Sequence, residues 1–192
     1  MKKRRRPLDL IKTIILGIIQ GLTEWLPISS TGHLKIAEHF MNEKIPLLFD
    51  FILHIGTLIV VLVFFRKEIK NILLASVHLD FKTENGKLIP LIIVGSIPAA
   101  IIGVMLDEPV NYAFQNILPI AVAFVLCGIM IYSVKFAHEK NDSIGYSAAI
   151  IIGIVEGITI IPGLSRSGAT IATALLLGIK REKSFKFSFL LS

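Results

Sequence analysis

The sequence has little charge and almost no cysteine. Only 18% of its 192 residues are charged, whereas soluble domains carry about a quarter. With a single cysteine, Cys127, the chain cannot form an intrachain disulfide. Cys127 lies inside an apolar run, which is typical of a cysteine that serves as a small buried side chain. Hydrophobic residues make up 54% of the chain. These proportions exclude an ordinary soluble domain and predict an integral membrane protein with several spans.

Some apolar runs are long enough to cross a membrane. A helix that crosses the hydrocarbon needs about 20 residues, and the runs at 47–65, 88–106 and 117–134 come close to that length. Segments 7–42 and 144–179 are also apolar, but Pro and Gly interrupt each of them. Irregular backbone is tolerated at membrane depth only where it packs against protein or lines a wet cavity. We therefore predict that both interrupted segments are re-entrant helix–turn–helix hairpins.

The two interrupted segments contain similar polar cassettes, Gln20–His33 and Glu156–Thr170. Each begins with a Gln or Glu, then Gly, one residue and Thr, and continues to a Pro, a Ser and a Gly. Matching interrupted segments in two halves indicate an inverted repeat with a site at its interface. The predicted fold is an all-α integral membrane protein, a multi-span helical bundle with two re-entrant hairpins in an inverted repeat. It forms a single domain over 1–192, in which 185–192 begins an incomplete span.

The basic residues indicate the orientation of this bundle. The net charge of +6 comes from clusters at ends and loops, which in a membrane protein predicts topology and not nucleic-acid binding. With both hairpins re-entrant, loops 66–87 and 135–142 and the stretch 180–186 lie on one side, which the positive-inside bias makes cytoplasmic. The opposite loop at 107–116 has no basic residue. The basic arm at 2–6 then lies outside, as an exception to the bias.

The second cassette has the composition of a phosphate-binding turn. Its sequence at 162–170, Pro-Gly-Leu-Ser-Arg-Ser-Gly-Ala-Thr, opens an apolar helix whose N-terminus offers free N–H groups and a positive dipole end to an anion. Gly163 lets the backbone approach a ligand closely, and Arg166 supplies a charged fork suited to phosphate oxygens. The alternative is a helix cap followed by a snorkelling Arg. The hydroxyl groups available to the same anion belong to Ser165, Ser167 and Thr170.

The first cassette combines groups for acid–base chemistry. Gln20 and Glu24 are four residues apart and share one helix face. Glu24 and His33 flank a turn with Ser29 and Ser30, so a carboxylate, an imidazole and a hydroxyl lie within one hairpin and suffice for nucleophilic catalysis. A carboxylate beside phosphates is also a ligand for a divalent cation, Mg²⁺ or Ca²⁺. In the alternative interpretation a serine caps the next helix and Glu24 bonds to backbone.

Three other residues have weaker signals. Glu156 takes the place of Gln20 in the second cassette, and it either bonds to backbone across the repeat interface or joins the pocket. His54, inside the run at 47–65, is interpreted as a helix histidine with a local partner and not as a catalytic residue. Trp25 is interpreted as an aromatic of the membrane interface or of the pocket wall.

Both cassettes, with the spans between them, resemble the bacterial undecaprenyl-diphosphate phosphatase family of the bacitracin-resistance type. The family's first motif, Glu-or-Gln, three residues and Glu running into Pro-x-Ser-Ser-Thr-Gly-His, is complete at 20–33, and its second, Pro-Gly-x-Ser-Arg-Ser-x-x-Thr, at 162–170. The resemblance implies hydrolysis of undecaprenyl diphosphate to undecaprenyl phosphate and inorganic phosphate, which recycles the lipid carrier for peptidoglycan synthesis and gives bacitracin resistance. It also implies a divalent cation and an active site on the outer side of the bacterial cytoplasmic membrane, surrounded by membrane lipids, with a homodimer left open.

The resemblance also implies residue roles by position. The expected catalytic residues are Glu24, Ser30, His33 and Arg166. Glu24 with Gln20 is expected to bind the metal or handle protons. Ser30 is the expected nucleophile and His33 its base or partner, although the two roles could be exchanged. The expected substrate-binding residues are Gln20, Ser29, Thr31, Gly163, Ser165, Ser167 and Thr170.

The sequence departs from the family in two ways. Gln20 replaces the commoner acid, which leaves one fewer negative charge near the metal. Family members also continue well beyond the point where this chain ends, so the chain is expected to be truncated at its C-terminus. The rival function is a transporter or flippase of a lipid phosphate or anion, since broken helices in inverted repeats are also transporter architecture. A carrier has little need for the cluster of Glu24, Ser30 and His33, which favours the enzyme.

Overall fold

The structure, a computed structural model, describes residues 10–42, 45–78, 80–81 and 83–191. The regular structure of these residues is helical, which confirms the predicted all-α class. The basic arm at 2–6 lies outside the described residues. The helices are α1 (Leu10–Thr23), α2 (Ser30–Met41), α3 (Leu47–Phe64), α4 (Arg66–Val77), α5 (Glu84–Ala113), α6 (Ile117–Ser133), which a 3₁₀ turn at Val134–Phe136 continues, α7 (Tyr146–Ile158), α8 (Arg166–Leu176) and α9 (Arg181–Leu191).

Two of these helices are long and apolar enough to span a bilayer on their own. They are α5, with 30 residues, and α6 with its 3₁₀ turn, with 20 residues. The pair α3 and α4 passes the same test together, although its two helices meet at an angle of 75°. Among the described residues, length and composition therefore give two spans, or three if the bent pair is one span.

Helix α4 occupies a segment that the sequence predicted as loop, and α5 begins at Glu84, earlier than its apolar run at 88–106. The prediction missed both because it followed long apolar runs, whereas α4 is amphipathic. Its charged residues lie in its first five positions, at 66, 67, 68 and 70, its second half is mostly apolar, and its buried Ala75 lies on a helix that packs against α5. The Thr83 hydroxyl accepts a hydrogen bond from the Gly86 N–H at 3.2 Å and so caps the start of α5.

The centre of the bundle is a close contact between α5 and α7. A Cβ atom added at Gly153 of α7 would lie 2.0 Å from the Gly95 carbonyl oxygen of α5. The two backbones therefore touch where both helices carry glycine, which is how helices in membranes commonly pack. Ile152 and Phe187 are fully buried beside this contact, so α9 completes the same core.

Each interrupted segment folds as two helices joined by an irregular turn. Helix α1 packs against α2, and α7 packs against α8. Both α2 and α8 also contact α6, so the turns at 24–29 and 159–165 come together beside one span. The symmetry of an inverted repeat between the two segments stays a prediction.

The basic stretch near α9 is joined to two other polar segments. Lys183 Nζ lies 3.0 Å from Glu84 Oε2 at the start of α5, and Lys180 Nζ donates to Asp142 Oδ2 at 2.6 Å. The segments at 84, at 135–142 and at 180–186 therefore lie at one end of the bundle, as the charge pattern predicted. Much of the remaining described surface is apolar: Ile52, Leu58 and Val63 on α3 are each more than half exposed. Exposed aliphatic side chains of this kind suit a lipid environment.

Candidate active site

The two cassettes meet through a hydrogen bond between their turns. The Ser29 hydroxyl oxygen accepts the Gly163 N–H at 3.2 Å, across 134 positions of sequence, and the Gly32 N–H at 3.3 Å. Both turn residues have positive φ, 67° at Ser29 and 103° at Gly163. A Cβ added at Gly163 would lie 2.7 Å from the Ile120 carbonyl oxygen, so glycine is needed there both for its conformation and for space.

The N-termini of α2 and α8 both open onto one cavity. Ser29 caps α2, and the Ser165 hydroxyl accepts the Gly168 N–H at 3.1 Å to cap α8. Ser30 and Arg166, the first residues of the two helices, line a cavity of about 110 Å³. Two helix N-termini and a guanidinium around one small space favour a bound anion. The lining residues are Thr23, Glu24, Trp25, Ser29, Ser30, Thr31, His54, Val61, Thr159, Leu164, Ser165, Arg166, Ser167 and Phe189.

Glu24 and Ser30 form a short hydrogen-bonded pair in this cavity. The Ser30 hydroxyl donates to Glu24 Oε2 at 2.5 Å. The Gln20 amide donates to the same oxygen at 2.9 Å, so Gln20 and Ser30 together fix the position of the Glu24 carboxylate. A hydroxyl within hydrogen-bond reach of a carboxylate is the arrangement of a nucleophile and its base.

Gln20 stands behind this pair and does not line the cavity. It is 1% exposed, and its Oε1 is buried without a hydrogen-bond partner among the described residues. The structure therefore gives Gln20 a supporting contact with Glu24. Its repeat counterpart, Glu156, is also absent from the lining, and Glu156 Oε2 is likewise buried without a partner in the described part of the chain.

The second cassette contributes its first helical turn to the cavity. Ser165, Arg166 and Ser167 line it, and the Ser165 and Ser167 hydroxyl oxygens lie 3.4 Å apart. The Ser165 N–H lies 3.4 Å from Cys127 Sγ, which ties the start of α8 to α6. Thr170 is 1% exposed and does not line the cavity; its hydroxyl donates to the Arg166 carbonyl at 2.8 Å.

His33 lies on the other side of the first turn. Its Nδ1 is 2.7 Å from the Ser29 carbonyl oxygen, and its ring packs edge-on against Phe124 at 5.0 Å between centroids. It lines a neighbouring groove with Pro27, Phe124 and Cys127, and not the cavity of Glu24 and Ser30. A catalytic role for His33 stays a prediction that this arrangement does not favour.

Some of the site residues predicted from the sequence line the cavity and others do not. The residues that the structure brings together around the cavity are Glu24, Ser29, Ser30, Thr31, Ser165, Arg166 and Ser167, and those outside its lining are Gln20, His33, Gly163 and Thr170.

His54 has the local helix partner that the sequence interpretation gave it, since its Nδ1 lies 2.9 Å from the Asp50 carbonyl oxygen. The sequence interpretation did not place His54 or Phe189 at the site, yet both line the cavity, from α3 and α9. Trp25, expected at an interface or a pocket wall, is a wall residue and stacks on Phe189 with centroids 6.0 Å apart. No sequence signal identifies Phe189 as part of the site. The only signal for His54 was an ionisable side chain inside an apolar run, which by default marks function.

The donor set for a metal is small. The described residues hold no group of three or more His, Cys, Asp or Glu side chains that could bind an ion. Glu24 provides the one carboxylate among the lining residues in the described part of the chain. Mg²⁺ is usually bound by one or two carboxylates together with substrate phosphates. The cavity therefore fits a cation that shares its ligands between Glu24 and a bound phosphate group.

Comparison with known proteins gives a consistent result. Residues 13–192 match the family model described as bacitracin resistance protein BacA. An undecaprenyl-diphosphatase of Korarchaeum cryptofilum is 37% identical over 96% of this chain and 73% of its own length. Relatives with the same name from Desulforapulum autotrophicum and Methanosphaera stadtmanae are each 38% identical over the same shares of the two chains. The matched region contains both turns and all the residues that line the cavity.

Proposed function

The chain belongs to the bacitracin resistance protein BacA family, and we propose that it hydrolyses undecaprenyl diphosphate to undecaprenyl phosphate and inorganic phosphate. This reaction would recycle the lipid carrier of peptidoglycan synthesis and give resistance to bacitracin. The observation that carries the proposal is the 2.5 Å contact between Ser30 and Glu24, placed where two helix N-termini and Arg166 surround one cavity.

The second cassette would hold the diphosphate. Arg166 offers two or more parallel N–H donors to phosphate oxygens, and the Ser165 and Ser167 hydroxyls lie beside it. The N-terminus of α8 adds the favourable end of its dipole. These groups are donors, so they would stabilise negative charge both in the bound diphosphate and in the transition state.

The first cassette would perform the chemistry. Glu24 takes the proton of Ser30 as the serine oxygen bonds to the terminal phosphorus and the bridging P–O bond breaks. The lipid monophosphate leaves with that proton. Water then attacks the phosphoserine, its oxygen bonds to phosphorus, and its proton passes through Glu24 to the Ser30 oxygen as the Ser30–P bond breaks. Each turnover therefore consumes one undecaprenyl diphosphate and one water and releases one undecaprenyl phosphate and one inorganic phosphate.

A divalent cation, Mg²⁺ or Ca²⁺, would be held by Glu24 together with phosphate oxygens, and it would neutralise charge on the diphosphate. Gln20 would keep the carboxylate in position through its 2.9 Å hydrogen bond. Because the first cassette has an amide at 20 and an acid at 24, Glu24 is the one carboxylate that the described lining residues would offer the cation.

The protein would reside in the bacterial cytoplasmic membrane with the active site toward the outer side. The positive-inside bias supports this orientation, since the salt-bridged segments at 135–142 and 180–186 together hold six Lys and Arg and lie at the same end of the bundle, whereas the loop at 107–116 holds none.

Phosphate release in detergent tests the proposal. The purified protein with undecaprenyl diphosphate and Mg²⁺ is expected to release inorganic phosphate without any gradient, which a transporter or flippase would not do. Arg166→Ala should lower the rate by about 10²–10³-fold, while Arg66→Ala, an exposed arginine on α4, should leave it unchanged. No release by the wild type, or equal rates for the two variants, would overturn the assignment.

A further inference from the structure

His54 stands between the phosphate cavity and a second, larger space. It lines the cavity of Glu24 and Arg166, and it also lines an apolar cavity of about 590 Å³ with Leu48, Asp50 and Phe51. Thr31 is the other residue that the two spaces share. His54 therefore borders the reacting groups on one side and an apolar space on the other.

Asp50 fixes which nitrogen of His54 is available to a ligand. His54 Nδ1 lies 2.9 Å from the Asp50 carbonyl oxygen, one turn earlier on α3, and 3.7 Å from its carboxylate oxygen Oδ1. A carbonyl oxygen can only accept, so Nδ1 carries the hydrogen. In the neutral ring Nε2 then has the lone pair and is a hydrogen-bond acceptor.

Several other polar groups of the lining, in the described part of the chain, are hydrogen-bond donors or are hydroxyls already bonded to the backbone. Arg166 and the Trp25 indole only donate. The Thr23 and Thr159 hydroxyls donate to the backbone carbonyls of Ile19 and Glu156. Glu24 Oε2 already accepts hydrogen bonds from Ser30 and Gln20. A water that attacks phosphorus has two hydrogens and is oriented only if both find acceptors, so the site needs one besides Glu24.

We propose that His54 positions the attacking water, with Nε2 accepting one hydrogen bond of the water and Glu24 the other. The inference rests on the proposed hydrolysis of a prenyl diphosphate. His54 takes no proton in this role, because the water proton passes through Glu24 to the Ser30 oxygen. The Asp50 contact at Nδ1 leaves Nε2 as the acceptor of the ring.

Three substitutions of His54 distinguish a role of Nε2 from a role of Nδ1. A Gln side chain places its amide oxygen near the position of Nε2, whereas an Asn side chain reaches only the position of Nδ1. His54→Gln should keep kcat within about tenfold of wild type, and His54→Asn and His54→Ala should each lower kcat about 100-fold, the usual cost of a misplaced reactant. KM should change little in all three, because the water and not the substrate loses its contact.

Each variant is compared with His39→Gln, an exposed histidine at the end of α2, which should behave as wild type. Thermal unfolding followed by the fluorescence of Trp25, the single tryptophan, reports whether a variant folds. The inference is overturned if His54→Ala stays within threefold of wild type. It is also overturned if His54→Asn is as active as His54→Gln, or if all three lose kcat equally with unchanged unfolding midpoints.

A labelling experiment tests the position of His54 without turnover. Diethyl pyrocarbonate modifies histidine at a free ring nitrogen, and peptide mass spectrometry resolves the sites. Inorganic pyrophosphate with Mg²⁺ should slow modification of His54 at least fivefold and leave the exposed His39 and His138 unaffected. Equal rates with and without pyrophosphate would remove His54 from the site. If wild type and His39→Gln release no phosphate, the hydrolase assignment fails instead, and the labelling still decides where His54 lies.

Discussion

The Ser29 hydroxyl oxygen lies 3.2 Å from the Gly163 backbone nitrogen, and this contact joins the first cassette to the second. The same oxygen caps α2 by accepting the Gly32 N–H. One side chain therefore fixes the start of the helix that carries Ser30 and the turn that precedes Arg166. The relative position of Ser30, the proposed nucleophile, and Arg166, proposed to bind the diphosphate, depends on it.

Ser29→Ala should destabilise the protein and reduce its activity. The substitution removes the acceptor of two N–H groups in a buried turn, and leaving a buried donor unsatisfied costs about 1–3 kcal/mol. Thermal unfolding in detergent should show a lower midpoint, and phosphate release should fall because the two turns separate. Ser143→Ala, at an exposed position of the loop before α7, is the matched control. A midpoint equal to that of the control would contradict the role given to Ser29.

Gly163→Ala should be more harmful than the same change at other glycines. An alanine there must adopt a φ of 103° and place its Cβ 2.7 Å from the Ile120 carbonyl oxygen. Strain of this kind costs about 1–3 kcal/mol. Gly103→Ala, in the interior of α5 with nothing within 4 Å of the added Cβ, should be neutral or slightly stabilising. Comparable unfolding midpoints for the two variants would show that the turn at 163 tolerates a side chain.

Ser30→Ala and Glu24→Gln should each lower kcat by about 10³-fold, and the double variant should be little worse than either one. The reason is that the proposed nucleophile and its base act as a unit through their 2.5 Å hydrogen bond. Once one of them is removed, removing the other costs little further rate. Steady-state phosphate release from undecaprenyl diphosphate measures all three variants. Multiplicative losses in the double variant would mean that Glu24 and Ser30 serve separate steps.

Removal of divalent cations should stop the reaction. EDTA is expected to abolish phosphate release, and added Mg²⁺ or Ca²⁺ to restore it, because a diphosphate beside Glu24 needs its charge neutralised. Gln20→Glu would add a second carboxylate behind Glu24 and should lower the Mg²⁺ concentration that gives half-maximal rate. Full activity in EDTA would exclude the cation from the proposal.

Much of the fold and of the site could be predicted from residues next to one another in sequence. The helix start at Ser165 and Arg166 follows from a serine cap, a Gly-rich turn and an apolar run. The contact of Gln20 with Glu24 follows from a spacing of four residues on one helix. Helix α4 was missed because an amphipathic surface helix has no long apolar run, and the run was the signal on which the prediction relied.

The sequence alone determined the class of the protein, the two polar turns and the functional groups that they hold, because composition, helix caps and motif spacing are local properties. Only the tertiary structure decided which histidine lines the cavity of Glu24 and Ser30. His33 lies three residues from Ser30, yet the turn at Ser29 directs it toward Phe124. His54 lies on another helix and reaches the cavity because α3 packs against α1. Helical periodicity predicts which residues share a face, but the packing of helices decides what that face meets.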